Sequence, residues 1–164
     1  MPQGIKEVGS NAFANCPNLV LNFNDAYGAP SLTKILSNAF TQSPQINLAN
    51  LPANIEHIGS YAFRATAAAA GGSSVEYIEV STFPASLKTI ENNIFHNRTS
   101  TTGILNLSQC KNLTDWNTGT RTGISPDAFK NFKGLTTIIV SRNRTFTVPD
   151  HRWGAGAEVA IEEV

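Results

Sequence analysis

The sequence predicts an α/β repeat solenoid: about five stacked units of short parallel strands joined by irregular or short-helical turns. Three observations predict it. A hexapeptide recurs as Val8-Gly9-Ser10-Asn11-Ala12-Phe13, Ile35-Leu36-Ser37-Asn38-Ala39-Phe40, Ile58-Gly59-Ser60-Tyr61-Ala62-Phe63, Ile90-Glu91-Asn92-Asn93-Ile94-Phe95 and, degenerately, Ile124-Ser125-Pro126-Asp127-Ala128-Phe129. Its Phe residues are separated by 27, 23, 32 and 34 residues, a period that stacked repeats show. Each unit also carries a second run in which apolar residues alternate, the pattern of a half-buried strand.

The first run of each unit places an aliphatic residue at every third position: Ile5 and Val8, Leu32 and Ile35, Ile55 and Ile58, Leu87 and Ile90. The Ala-Phe pair that follows reads as one helical or 3₁₀ turn, stopped in the first unit by Pro17. In the second run Leu19, Leu21 and Phe23 are expected to point inward, as are Ile46 with Leu48, Ile78 with Val80, Leu105 with Leu107, and Ile138 with Val140. Side chains alternate across a strand, so the residues between them fall on one exposed face. That face collects Val20, Asn22, Asn47, Tyr77, Glu79, Asn106, Thr137 and Ile139, expected to lie side by side. No unit can bury both its Phe and its strand aliphatics alone, so the Phe13, Phe40, Phe63, Phe95 and Phe129 rings are expected to stack as a ladder.

Three insertions interrupt the period. Asn24–Ser31 reads as a turn. Thr66–Ser74, an Ala run followed by Gly-Gly-Ser-Ser, is the segment expected to be disordered. Asp115–Gly123 is a Thr- and Gly-rich loop holding Trp116. The division expected is a repeat unit over residues 1–148 and a tail, 149–164, that caps the last repeat or begins a further module. The first repeat starts almost at once and has no atypical capping unit, so the chain reads as a piece of a longer protein.

Composition narrows the function. Lys+Arg and Asp+Glu are both 12, giving no net charge and no basic stripe with which to neutralise phosphates, so nucleic acid is not an expected partner. No run of about 18 apolar residues exists, so membrane insertion is not expected. Cys16 and Cys110 lack metal-ligand spacing and read as buried free thiols at equivalent repeat positions. His57, His96 and His151 accompany no nucleophile motif and read as surface or structural groups. Glu76 with Glu79 and Glu162 with Glu163 lie outside any calcium-binding loop pattern and read as solvated. The sequons at Asn97, Asn106, Asn112 and Asn143 follow from Asn and Thr richness and carry no function in a bacterial source. Neither catalysis, a cofactor nor a metal is expected.

The repeat resembles the BspA-like leucine-rich repeat: Ile-Gly, two residues, Ala-Phe, two residues, Cys. Ile58–Phe63 fits it position for position, and Val8–Cys16 fits it including the Cys. The resemblance covers most of residues 5–140. Departures fall at the Cys position (Ser43, Thr66, Arg98, Phe132) and at the Gly position (Leu36, Glu91, Ser125). The resemblance implies a right-handed curved coil, export or display at a cell surface, and adhesive binding of a protein ligand such as a host or extracellular matrix protein. Two other readings stand beside it: a structural spacer of a surface or phage-borne protein, and a glycan-binding accessory domain of an enzyme, with Trp116 and Trp153 as stacking residues. Apolar rungs at the open ends predict an end-to-end dimer of the fragment.

Overall fold

Where two aliphatics are spaced three apart, the second closes a two-residue strand, and these short strands pair repeat upon repeat. The computed structural model describes residues 4–22, 31–43, 45–48, 51–65, 77–78 and 82–164, with the backbone alone at 21–22, 45–47 and 77–78. Its strands are β1 (Glu7–Val8), β2 (Val20–Asn22), β3 (Lys34–Ile35), β4 (Gln45–Asn47), β5 (His57–Ile58), β6 (Tyr77–Ile78), β7 (Thr89–Ile90), β8 (Thr99–Ser100), β9 (Ile104–Asn106), β10 (Gly123–Ile124), β11 (Thr137–Val140) and β12 (Ala160–Glu163). A single 3₁₀ segment, Arg152–Gly154, is the only helix among the described residues.

The first-run strands form one five-stranded parallel sheet in the order β1-β3-β5-β7-β10, one strand per hexapeptide. The aliphatic residue of each strand registers with the next: Val8 with Ile35, Ile35 with Ile58, Ile58 with Ile90, and Ile90 with Ile124. All five are buried. The strands are tied by bonds from the residue that follows each aliphatic, such as Gly59 N–H to the Ile35 carbonyl at 2.8 Å and Glu91 N–H to the Ile58 carbonyl at 2.9 Å. One parallel-paired strand per hexapeptide makes a parallel-stranded repeat fold.

The Ala-Phe segment is not the helical turn that the sequence suggested. It is a run of consecutive reverse turns, closed by bonds such as Ala12 N–H to Gly9 O, Ala14 N–H to Asn11 O and Ser43 N–H to Phe40 O. Left-handed residues break any helix at both ends of the Phe: Asn11, Asn38, Tyr61 and Asn93 two before it, and Asn15, Gln42 and Asn97 two after it, all with φ between 56° and 62°. Asn tolerates this conformation better than other non-glycine residues, which accounts for part of the chain's Asn richness. The turns stack as the strands do. Phe13 N–H donates to Ala39 O, Phe40 N–H to Ala62 O and Phe63 N–H to Ile94 O, at 2.8–3.0 Å.

The Phe ladder forms over four rungs and then changes partner. Phe13 stacks on Phe40 with ring centroids 5.4 Å apart and planes 3° from parallel. Phe40 stacks on Phe63 at 5.6 Å and 1°, and Phe63 on Phe95 at 5.8 Å and 26°. Beyond Phe95 the expected rung, Phe129, is displaced: Phe95 meets Phe132 at 4.8 Å, and Phe129 packs edge-on against Trp153 at 6.2 Å. The cause lies in the fifth turn. Asp127 stands where the earlier turns have a left-handed residue and is not left-handed itself. The inter-turn bonds slip by one residue there, with Ile94 N–H rather than Phe95 N–H donating to Ala128 O. Phe132 occupies the position that holds Cys16 in the first turn, so the slip brings it under Phe95. At the other end Phe13 is 37% exposed, an uncovered rung.

The second-run strands form separate parallel groups: β2-β4, β6-β8 and β12-β11-β9. Leu48, Leu105, Leu107, Ile138 and Val140 are buried as expected, and Leu19 is partly buried. Phe23, Val80 and the insertions 24–30 and 66–74 lie outside the described residues. The third insertion is ordered as a hairpin. Asn117 N–H donates to Thr122 O at 2.9 Å, Ile124 N–H donates to Thr114 O at 2.9 Å, and Asn117 Oδ1 accepts from the Gly119 and Thr120 N–H groups. The tail adds to both rows: β12 pairs parallel with β11 over Thr137–Val140, and Phe129 N–H donates to the Trp153 carbonyl at 2.9 Å.

The two thiols are neither equivalent nor equally buried. Cys16 follows the first Phe turn and is half-buried, whereas Cys110 follows β9 and is buried. Burial pushes the Cys110 thiol up to about 12, so it stays protonated and unreactive at neutral pH.

Candidate functional site

The exposed face of the second-run strands is built most completely at the C-terminal end. Ile104, Thr137 and Ala160 register side by side, and so do Asn106, Ile139 and Glu162. Ile104 is 41% exposed, Ala160 and Glu162 are exposed, and Asn106, Thr137 and Ile139 are half-buried. The face thus contains three residues that alternation within the repeats did not select. Ile104 opens its strand one residue before the inward Leu105, and Ala160 and Glu162 come from the tail. Asn106 is partly committed to the fold, its Oδ1 accepting from the Ser108 N–H at 2.9 Å.

The other sequence-selected positions among the described residues pair outside this row. Val20 registers with Gln45 and Asn22 with Asn47 in the separate β2-β4 pair, where Val20 is 71% exposed. Tyr77 registers with Thr99, and the strand neighbour of Asn106 on that side is Thr82. Tyr77 and Asn106 are therefore not side by side. The bend at Thr101–Gly103 puts two more residues between Thr99 and Asn106 than lie between Tyr77 and Thr82, which sequence alternation does not reveal. Glu79 lies outside the described residues.

On the other sheet, Glu91 replaces the repeat's Gly and gathers a polar cluster. Its buried carboxylate accepts from Ser60 N–H at 3.0 Å, Ser60 Oγ at 2.8 Å and Arg121 Nη2 at 3.2 Å. His57 Nε2 lies 3.7 Å from the other oxygen. Desolvation holds the His57 pKa below its usual value, aided by Lys34 and Arg121 and opposed by Glu91 and Glu7. The imidazole is therefore neutral at pH 7, and its contact with Glu91 is not an ion pair there. His96 is lowered too, by burial first and then by Arg64 and Lys130. Neither histidine faces a nucleophile in these contacts. Among the described residues no cluster of three or more His, Cys, Asp or Glu is placed to hold a metal ion. No described helix is long and apolar enough to cross a membrane.

A cleft of about 360 Å³ opens between the 114–124 hairpin and the tail, and it brings Trp116 and Trp153 together with Asp115, Thr147 and His151. The sequence marked both tryptophans, but nothing in it showed that they share one cavity.

Compared with known families, residues 1–100 and 73–149 match the BspA type leucine rich repeat region in six copies, one more than the five hexapeptides. No curated protein and no solved structure matches significantly. The matched residues span nearly the whole repeat array that the strands and turns build, and the chain belongs to the BspA-type leucine-rich repeat family.

Proposed function

We propose that this chain is a non-catalytic protein-binding module of an exported or surface-displayed protein. In this reading the units wind as a right-handed curved coil and present the outward face of β9, β11 and β12 to a protein partner. The observation that carries the reading is the sheet itself: a parallel, in-register surface on which an exposed aliphatic, Ile104, neighbours half-buried Thr137 and lies beside the Asn106–Ile139–Glu162 row. Repeat proteins use extended sheet surfaces of this kind for partners. An apolar centre with a polar rim is the anatomy of a protein interface. The family resemblance supports adhesion at a cell surface, with host or matrix proteins as partners.

The experiment is binding of the purified chain to immobilised extracellular matrix proteins, repeated with Ile104→Asp and Ile139→Asp. Both substitutions replace an outward aliphatic and leave the inward residues untouched. Saturable binding that both weaken by tenfold or more is expected. Binding that neither changes would move the partner surface elsewhere, and absence of binding to any matrix protein would favour a spacer.

A further inference from the structure

We propose that the cleft between the 114–124 hairpin and the tail is a binding site for a neutral pyranose sugar. The inference stands apart from the strand face, which shares none of the residues lining the cleft.

The cleft is preorganised. Its hairpin is closed by the Asn117 and Ile124 bonds described above and is tied to the sheet by Arg121, which donates to buried Glu91. Gly123 sits at φ 92° with its Cα against the Thr114 and Asp115 carbonyls, so the hairpin base approaches more closely than a Cβ would permit. The carboxylate of Asp115 is fixed from one side: Oδ1 accepts from Thr147 N–H at 2.8 Å and from Thr147 Oγ1 at 2.9 Å. Oδ2 is left as an acceptor. His151 Nδ1 accepts from Gly154 N–H at 3.2 Å, so in the neutral ring the proton sits on Nε2, which is a donor. Trp116 is half-buried, and no ring or hydrogen-bond contact among the described residues engages its indole.

These groups match one ligand chemistry. A pyranose has an apolar C–H face, which an indole covers, and vicinal hydroxyls, which pair with an acceptor and a donor placed together. The cavity falls in the range of about 300–1,000 Å³ typical of small-ligand sites. None of its described lining residues is Lys or Arg, which disfavours a phosphate or carboxylate ligand. A methylated ammonium needs several ring faces around one point. Trp153 is only 2% exposed and is met edge-on by Phe129 and Phe146, so it does not offer a second open face.

The test is an NMR titration of ¹⁵N-labelled protein with glucose, galactose, mannose, N-acetylglucosamine and their disaccharides, with a trimethyl-lysine peptide and a proline-rich peptide as competing chemistries. At least one sugar is expected to give saturable shifts at the Trp116 indole, Thr118 and Thr147. Trp116→Ala should weaken that binding about tenfold or more, the size of an aromatic anchor. Asp115→Asn keeps an Oδ1 acceptor for Thr147 and replaces only the free oxygen, so it should fold normally and still lose affinity several-fold. Ile104→Asp should leave sugar binding unchanged, which separates this site from the strand face. Shifts from a peptide and from no sugar, no shifts from any probe up to its solubility limit, or sugar binding that Asp115→Asn does not alter would each overturn the proposal.

Discussion

Arg98 Nη2 donates to the Ser43 carbonyl oxygen at 2.7 Å, across 55 residues of chain. The same side chain, fully buried, donates from Nε to the Phe63 carbonyl at 2.7 Å. One arginine thus bonds the backbones of two earlier repeats from inside the core. It stands where the first repeat has Cys16, and a thiol could not reach either carbonyl. Arg98→Ala removes donors from two carbonyls and leaves a cavity, at about 1–3 kcal/mol for each unsatisfied group. We expect a total loss of about 3 kcal/mol or more, read as a lower urea midpoint with an unchanged slope. Arg98→Lys should restore only part of it, because one ammonium does not reproduce the planar fork.

The rungs of the Phe ladder differ in burial, so their deletions should differ in cost. Phe63 is fully buried between Phe40 and Phe95, and Phe63→Ala should cost about 3–5 kcal/mol. Phe13 is 37% exposed and has Phe40 as its ring neighbour among the described residues, and Phe13→Ala should cost well under half of that. Equal losses in urea titrations would contradict the uneven burial.

The repeat's Gly has a steric reason in one copy and none in another. A Cβ on Gly59 would lie 2.5 Å from the Ser37 nitrogen and 2.7 Å from the Leu36 carbonyl carbon of the preceding repeat. A Cβ on Gly9 would meet no described residue within 4 Å. Gly59→Ala should therefore destabilise by about 1–3 kcal/mol, as overpacking does. Gly9→Ala should be close to neutral, and thermal melts of the pair check the contrast.

Stability should fall as the solution is acidified through the histidine range. His57 and His96 both have folded pKa values below the unfolded value of 6.5, so between the two values the unfolded chain binds more protons. Their neutral forms are fully compatible with the fold above 6.5, and stability is lost as pH drops from there toward the folded pKa values. His57 faces Glu91, Glu7, Lys34 and Arg121, and His96 faces Arg64 and Lys130. The double variant His57→Gln, His96→Gln should flatten the profile in the window just below 6.5, where that direction of shift places the loss. Denaturant midpoints across this window would show an unchanged slope if the histidines were not responsible.

Much of the fold was legible because burial writes a period into the chain. The aliphatics of β1, β3, β5, β7 and β10 and the inward residues of β9 and β11 are all where spacing put them. The turns were misread because an Ala-Phe pair flanked by polar residues fits a helical turn as well as a reverse turn. Only the left-handed φ of Asn11 or Asn38 separates the two, and recurrent Asn at that place was the available signal. The slip at Asp127 and the bend before β9 shift register by one or two residues without disturbing the hydrophobic pattern, so Phe132 and Thr82 took the places expected for Phe129 and Tyr77. The Trp116 cleft was not legible, since it depends on a hairpin and a tail meeting across about 30 residues of chain.

Ring-proton NOEs in a sample with ¹³C-labelled phenylalanine test the stacked, register-slipped core most directly. The structure predicts cross-peaks running Phe13–Phe40–Phe63–Phe95 and continuing from Phe95 to Phe132, with Phe129 linked instead to Trp153. Absence of a Phe40–Phe63 cross-peak, or a Phe95–Phe129 cross-peak stronger than Phe95–Phe132, would contradict it.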